Sequence, residues 1–247
     1  MKRLLACLMV LMLLCPAALG ESFQVSVPPE ASYFDDALFI GDSVGNQLRR
    51  FNLDQRKEGN DILGDAQFLT AGAFSVYLAS LGSVVKDKPA LHYRGRAVTV
   101  REGVSALAPG KVFIMLGLAD EPGRNVERDI TRYRKVINHI RAVSPDIKIV
   151  SMSVTPVTQR AEGVKLKQAS INLFNQHLEA LCKEEGIDFV DVAGWLKNDD
   201  GFLTGHYSND KKVHLNQQGL KLMVQALYYY AAEQMEAEAR LADAAGK

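Results

Sequence analysis

The sequence has few cysteines, the residues that could stabilise the protein through disulfides. Two of its three cysteines, Cys7 and Cys15, lie within the first twenty residues. If those residues are removed, Cys182 remains alone and no internal disulfide can form. Cys182 has helical spacing from neighbouring leucines, which predicts a buried structural thiol. The chain must then obtain its stability from a hydrophobic core.

A charge excess of either sign is also absent. Lys and Arg total 29, Asp and Glu also total 29, and the formal net charge is zero. This balance gives no overall field that would attract nucleic acid or an anionic membrane surface. The sequence contains no His-Glu-x-x-His motif and no paired cysteines, and "GDSVGNQL" lacks the lysine of a phosphate-binding loop. We therefore expect no metal, no cofactor and no nucleic-acid partner.

The N-terminal segment has the composition of a secretory signal. Lys2 and Arg3 precede an apolar run over residues 4–14, and small residues follow up to Gly20. The run is shorter than the roughly 20 residues that span a bilayer. Residues 1–20 are therefore predicted to be a signal peptide cleaved near Gly20, which would export the protein as a secreted, periplasmic or cell-surface form without a stable membrane anchor.

The rest of the chain divides into a short leader and one domain. Residues 21–36 contain Pro28-Pro29 among polar residues and are predicted to be extended. Residues 37–247 have the length and the hydrophobic content of a single domain, and they end in a long helix. The sequence leaves the oligomeric state open.

Apolar runs with the length of buried strands alternate with amphipathic helical patterns in this domain. The predicted strands are residues 37–41, 66–70, 112–116, 147–152 and 189–192. Near-continuous apolar strands separated by helices are typical of an α/β fold with a parallel sheet, here a three-layer α/β/α sandwich. Residues 78–110 fit this pattern less well: the stretch "LHYRGRAVTVREGV" alternates with period two around Val98 and Val100, which predicts an excursion or a small hairpin.

The stretch "FIGDSVG" ends the first predicted strand and suggests a serine site. The carboxyl ends of parallel strands form the edge at which ligands bind, and Ser43 lies there. A structural alternative is that Gly-Asp-Ser is a turn and an N-cap for a helix that begins near Gly45. A nucleophilic serine also needs a histidine base, usually oriented by an acid.

Two of the five histidines are candidates for that base. His206 and His214 follow the last predicted strand in a loop that reaches the same edge as Ser43, and His214 directly precedes the final helix. His92, His139 and His177 fall in the excursion or in amphipathic helices, where packing or surface roles are expected.

Four segments in order resemble the SGNH/GDSL hydrolase superfamily, and especially its exported bacterial members related to lysophospholipases and carbohydrate esterases. They are "FIGDSVG", "FLTAGAFS", "MLGLADEPG" and "VHLNQQG". The resemblance implies a flavodoxin-like α/β/α fold with Ser43 as nucleophile and His214 as base. It also implies that the N–H groups of Ser43 and Gly72 donate to the oxyanion.

The chain departs from the superfamily pattern at two positions. Ala119 replaces the asparagine whose amide is usually the third oxyanion donor; Asn46, Asn125 and Asn175 could substitute by residue type. Lys211 occupies the usual position of the aspartate, three residues before His214. A one-residue bulge would let Asp210 act instead. The alternative is that Asp210 is a solvated loop residue and that His214 works in a dyad held by a backbone carbonyl.

The resemblance therefore implies a secreted serine esterase that hydrolyses O-acyl esters through an acyl-enzyme. The expected substrate is an acyl ester of a carbohydrate, with acetyl as the expected acyl group, or a small-molecule ester. Two alternatives use the same fold: an O-acyltransferase that passes the acyl group to a sugar hydroxyl, and a binding protein whose catalysis is weakened by the changes at Ala119 and Lys211.

Overall fold

The computed structural model of the protein describes residues 27–120, 125–163 and 165–245. The predicted signal peptide and residues 21–26 of the predicted leader lie outside these residues. In the described part of the chain, no helix combines the length and the apolar character needed to cross a membrane.

A five-stranded parallel sheet forms the centre of the domain. Its strands are β1 (Ala37–Gly41), β2 (Gln67–Thr70), β5 (Lys111–Met115), β6 (Lys148–Met152) and β7 (Asp188–Val190). They are arranged in the order β2-β1-β5-β6-β7. A separate antiparallel hairpin consists of β3 (Leu91–Tyr93) and β4 (Arg96–Val98). All five strands predicted for the sheet are present, with ends that differ by at most two residues.

Within the described residues, six α-helices accompany the strands. They are α1 (Ser43–Lys57), α2 (Val76–Ala79), α3 (Val100–Leu107), α4 (Val126–Arg141), α5 (Gln168–Glu185) and α6 (Gln217–Ala245). Helix α1 packs against α6, whereas α4 packs against α2, α3 and α5. The helices thus form two groups around the sheet, and the predicted α/β fold is confirmed.

The core lies on both faces of the sheet because the central strands are apolar along their whole length. Every residue of β1 is buried, and so is each residue of β5 after Lys111. Phe39 stacks on Phe113 of the neighbouring strand, with ring centroids 4.7 Å apart. Cys182 is also buried, as its helical spacing predicts.

The excursion between β2 and β5 contains the predicted hairpin. His92 pairs with Ala97 in its ladder. The two turn residues, Arg94 and Gly95, have φ values of 48° and 79°. Positive φ at both positions is characteristic of the tight turn whose twist matches antiparallel strands. The chain then enters α3, which Thr99 caps.

The leader differs from the prediction over its described part. Pro29–Phe34 forms a 3-10 helix rather than an extended segment. Tyr33 and Phe34 are buried, and the Tyr33 ring contacts that of Tyr230 on α6 edge-on at 5.9 Å. The helical turn lets both Tyr33 and Phe34 reach the core from one short segment. Proline has a φ suited to the first position of a helical turn, which Pro29 occupies here.

Candidate active site

The turn between β1 and α1 is tight because Gly41 allows the helix to approach the strand. A Cβ at Gly41 would lie 3.0 Å from the Gly45 Cα and 3.4 Å from the Met115 carbonyl oxygen. The Asp42 N–H donates to that same carbonyl at 3.3 Å, which ties the turn to the end of β5. The first residues of α1 therefore stand directly over the carboxyl edge of the sheet.

Asp42, and not Ser43, caps helix α1. The Asp42 Oδ1 accepts the Val44 N–H at 2.9 Å, which is the usual role of an N-cap side chain. The helix begins at Ser43, two residues earlier than the sequence predicts. The predicted turn and cap are thus both present, but they leave the Ser43 hydroxyl free for another contact. The Ser43 N–H, in the first turn, has no intrahelical acceptor.

Three predicted side chains meet at this point. The His214 Nε2 lies 3.2 Å from the Ser43 Oγ, and the His214 Nδ1 lies 2.7 Å from the Asp210 Oδ2. An ionised carboxylate can only accept, so Nδ1 carries a proton in this contact and, in the neutral ring, Nε2 is left to accept from the serine hydroxyl. The side chains of His214 and Asp210 are about one third exposed, so a substrate can reach them.

The bulge that Asp210 requires is present at Lys211. Lys211 has a φ of 58°, the left-handed conformation, and this extra residue turns the loop so that Asp210 faces the imidazole. The Asp210 Oδ1 accepts the N–H groups of Lys212, Val213 and His214 at 2.8, 3.0 and 3.2 Å. Partial burial would raise the pKa of Asp210, but the hydrogen bonds from His214 and from these amides lower it to about 2. Asp210 is therefore ionised at neutral pH.

Gln47 is a positioning residue that the sequence analysis missed. Its Nε2 donates to the Leu215 carbonyl and its Oε1 accepts the Leu215 N–H, both at 3.0 Å. Gln47 lies one helical turn after Ser43 and faces the same side of α1. It therefore holds the backbone next to His214 at a fixed distance from Ser43. The four-residue spacing places Gln47 on the Ser43 side of α1, but only the contacts with Leu215 show what it does there.

Gly72 and Asp120 lie on either side of Ser43. Gly72 follows β2, which pairs with β1 so that Thr70 is opposite Gly41. Gly72 is exposed, and its N–H donates no hydrogen bond to any other described residue. Asp120, after β5, accepts the N–H groups of Val76 and Tyr77 at 2.6 and 3.1 Å and thereby joins two loops of the site. Burial raises the pKa of Asp120.

Ala119 is exposed in the short 3-10 turn Leu118–Asp120, where no side-chain amide is available. Gly117 before it has a φ of 138°, and a Cβ there would lie 2.6 Å from a methyl of Val154. Only glycine is compatible with this turn. The glycine of the predicted motif is therefore required by the backbone here, although the asparagine of the motif is missing.

The three asparagines considered as substitutes have different environments. Both the oxygen and the nitrogen of the Asn175 amide are hydrogen-bonded to the backbone of Val154, and Asn125 caps α4. Asn46 lies one turn after Ser43, and its Oδ1 accepts from Arg49 Nε at 3.1 Å. Because arginine can only donate, the Asn46 amide nitrogen faces the other way, and it has no partner among the described residues. Asn46 is the remaining candidate by contact pattern.

Among the described residues, none of the other histidines forms a hydrogen bond with Ser43. His92 contacts the carbonyl of Ala90, and His139 contacts that of Ser80. His206 packs against the ring of Tyr207, with centroids 5.8 Å apart. Among the described residues, no group of three or more His, Cys, Asp or Glu side chains is arranged to hold a metal ion.

Asp42 should make the stability of the protein depend on pH. Burial raises its pKa to about 6, although the N–H groups of Val44 and Gly45 act in the opposite direction. Because Asp42 ionises more readily in the unfolded chain, the free energy of unfolding decreases as the pH rises. This loss is complete above about pH 6 and becomes smaller as the pH is lowered. Asp42→Asn keeps an oxygen for Val44 but cannot ionise. We expect the free energy of unfolding of the variant, minus that of the unmodified protein, to increase by about 2 kcal/mol from about pH 4.5 to pH 8.

Urea unfolding of both proteins at the two pH values measures this difference. Asp199→Asn is the control because Asp199 is exposed in a loop. A stability difference for Asp42→Asn that is the same at both pH values would show that Asp42 does not titrate in this range.

The fold and the site together define a class of protein. A serine, a histidine and an aspartate in hydrogen-bonded sequence at the carboxyl edge of a parallel sheet are the arrangement found in serine hydrolases of α/β type. The sequence profile of the GDSL-like lipase/acylhydrolase family matches residues 60–222. The chain belongs to this family of ester hydrolases. The matched span includes Gly72, Asp210 and His214 and begins after Ser43.

Solved structures of similar fold include three esterases or lipases. A GDSL-like lipase from Bacteroides thetaiotaomicron is 19% identical, with a TM-score of 0.59 over 80% of this chain and 88% of its own. A carbohydrate esterase family 3 protein from Talaromyces cellulolyticus is 14% identical, with a TM-score of 0.56 over 81% and 98%. An acetyl xylan esterase is 15% identical, with a TM-score of 0.58 over 78% and 98%. No curated protein matches the sequence significantly.

Proposed function

We propose that the protein is a serine esterase that hydrolyses O-acyl esters of carbohydrates or small molecules through an acyl-enzyme. The observation that carries the proposal is the continuous hydrogen-bonded series from Asp210 through His214 to the Ser43 hydroxyl. Family membership supports ester hydrolysis. Two of the structural neighbours are carbohydrate esterases, which supports a glycan ester as substrate and acetyl as the acyl group.

The geometry supports a two-step reaction. His214 Nε2 takes the hydroxyl proton of Ser43 as its Oγ attacks the acyl carbonyl, and the tetrahedral intermediate collapses when His214 returns that proton to the leaving alkoxide. Water then attacks the acyl-enzyme with His214 again acting as base, which releases the acid and restores Ser43. Asp210 holds the ring in the tautomer that accepts at Nε2 and stabilises the imidazolium.

The oxyanion would be stabilised by two backbone donors. The Ser43 N–H stands at the N-terminus of the fifteen-residue helix α1, where the partial positive charge of the helix dipole favours an anion. The Gly72 N–H, at the end of the neighbouring strand, would be the second donor. Neither N–H donates a hydrogen bond to another described residue, so both are available to the developing negative charge without breaking an existing contact.

The test of the proposal is turnover of p-nitrophenyl acetate together with labelling by an organophosphonate probe. A serine esterase is expected to release p-nitrophenol catalytically and to lose that activity as one equivalent of probe becomes attached to Ser43, located by mass spectrometry of peptides. A transferase would release little product until a glycan acceptor is added, and a binding protein would neither turn over nor be labelled. Either of these results would overturn the proposal.

Ala119→Asn should increase the rate. Removing one oxyanion donor typically lowers turnover by about 10² to 10³, and Ala119 is exposed at the position from which the superfamily supplies its third donor. Because Ala119 is exposed, we expect the asparagine side chain to be accommodated and turnover of p-nitrophenyl acetate to rise by about tenfold or more, with a smaller effect on KM.

Ala119→Ser is the matched control, since it adds a polar group that is too short to act as an amide donor. A rate that is unchanged or lower in Ala119→Asn would indicate that another amide, such as that of Asn46, already occupies the third position. Asn46→Ala would then be expected to lower turnover in the unmodified protein.

A further inference from the structure

A cavity of about 410 Å³ lies beside the loop that carries Asp210 and His214. We refer to it as the basic cavity. Its lining includes Thr158, Gln159, Arg160, Asn198, Phe202 and Lys211. The volume lies within the range of about 300–1,000 Å³ typical of small-molecule sites. None of Ser43, Asp210 and His214 is among the residues that line it.

The basic cavity is joined directly to the proposed triad. The Thr158 Oγ1 donates to the Lys211 carbonyl at 2.7 Å, and the Thr158 N–H donates to the Lys212 carbonyl at 2.8 Å. Lys211 is the bulge residue immediately after Asp210. The cavity wall and the loop that holds the acid are therefore one hydrogen-bonded unit, and Lys211 belongs to both.

The charges of the cavity are of one sign. Arg160 and Lys211 line it, and no carboxylate is among its lining residues. Within the described residues neither cation forms an ion pair; the Lys211 Nζ contacts only the Gly205 carbonyl, at 3.3 Å. This local excess contrasts with the zero net charge of the whole chain. Two cations without a counter-ion in a concave site attract an anion.

The remaining lining suits a sugar that carries the anion. The Asn198 Oδ1 accepts the Phe202 N–H at 2.9 Å, which leaves the Asn198 amide nitrogen to bind a hydroxyl. Gln159 adds a second amide, and Phe202 presents an aromatic surface of the kind on which rings stack. Arg160 supplies the planar donor fork that matches a carboxylate or a phosphate.

We infer that the basic cavity binds a negatively charged group on the alcohol part of the substrate, so that the preferred substrate is an acyl ester of an anionic glycan. This inference rests on the proposed ester hydrolysis and specifies its substrate class. Arg160 would bind the anion directly, while Lys211 adds its charge from the triad loop.

The test compares acetate release from O-acetylated oligogalacturonate, which carries carboxylates, with release from neutral O-acetylated xylo-oligosaccharide. Charged hydrogen bonds are worth about 1.5–3 kcal/mol, so the unmodified protein should prefer the anionic ester in kcat/KM by about tenfold or more. Arg160→Gln should remove most of that preference, mainly through KM. Raising the salt concentration should reduce the preference in the unmodified protein, because the cavity is open to solvent.

Arg101→Gln is the matched control, because Arg101 is exposed on α3 and does not line the cavity. It should keep the preference of the unmodified protein. Equal kcat/KM for the two esters in the unmodified protein would overturn the inference while leaving ester hydrolysis intact. An equal loss on both esters in Arg160→Gln would also overturn it, because that result indicates a structural role for Arg160.

Calorimetric binding of deacetylated oligogalacturonate tests the cavity independently of catalysis. Binding by the unmodified protein that weakens about tenfold in Arg160→Gln would support the inference even if no ester is hydrolysed. Absence of binding would overturn it. Competition by inorganic phosphate at similar concentration would show that the site accepts the phosphate anion as well as the carboxylate.

Discussion

Replacement of Ser43 by alanine is expected to lower kcat for p-nitrophenyl acetate by about 10⁴-fold or more. The Ser43 Oγ is the only hydroxyl in contact with the His214 Nε2 among the described residues, at 3.2 Å. Without it the acyl group has no nucleophile on the protein, and only water attack assisted by the oxyanion donors remains. Labelling by an organophosphonate should disappear in the same variant.

Ser105→Ala is the matched control, because Ser105 is an exposed serine on α3. It should keep both turnover and labelling. The stability of Ser43→Ala should be close to that of the unmodified protein, since Asp42 rather than Ser43 caps α1. If Ser43→Ala retained turnover while Ser105→Ala behaved normally, Ser43 would be a turn residue and the proposed mechanism would fail.

Asp210→Asn is expected to lower kcat by about 10³- to 10⁴-fold with little change in KM. An asparagine oxygen can still accept the N–H groups of Lys212 and Val213, so the loop should keep its shape. Its amide group, however, donates toward the His214 Nδ1, which forces that nitrogen to accept. The ring proton then moves to Nε2, which can no longer accept the proton of Ser43.

This variant decides between the triad and the dyad. If His214 worked without Asp210, the rate should fall by less than about tenfold, because the backbone would hold the ring unaided. Asp200→Asn serves as the control, since Asp200 is an exposed aspartate of a neighbouring loop. Thermal unfolding of each variant distinguishes a changed His214 tautomer from a disordered loop. Only a disordered loop would also lower the melting temperature.

The sequence predicted the sheet well because its three central strands are almost entirely buried. Apolar runs of four to six residues between turn residues leave little choice of structure, and the five strands agree within two residues. Helix starts follow less directly from the sequence. The start of α1 at Ser43 depends on the Asp42 cap, and a sequence of Gly, Asp and Ser contains two residues that could serve as caps.

The leader and Gln47 were beyond the reach of local pattern. The 3-10 turn of Pro29–Phe34 forms because Tyr33 meets Tyr230, nearly two hundred residues later in the chain. Gln47 is polar and lies on a helix, as many surface residues do, and only its two hydrogen bonds to Leu215 reveal its position. Both are long-range contacts that periodicity does not encode.

The sequence by itself determined the α/β class, the strands, the placement of Ser43 at a strand end and the candidacy of Asp210 and His214. Their catalytic roles stay predictions until the variants are measured. The tertiary structure alone decided that Asp210 faces the imidazole, because this depends on a left-handed backbone at Lys211 and on three amides that hold the carboxylate. Hydrophobic periodicity is a local property of the chain, whereas the meeting of side chains 171 residues apart is a property of packing.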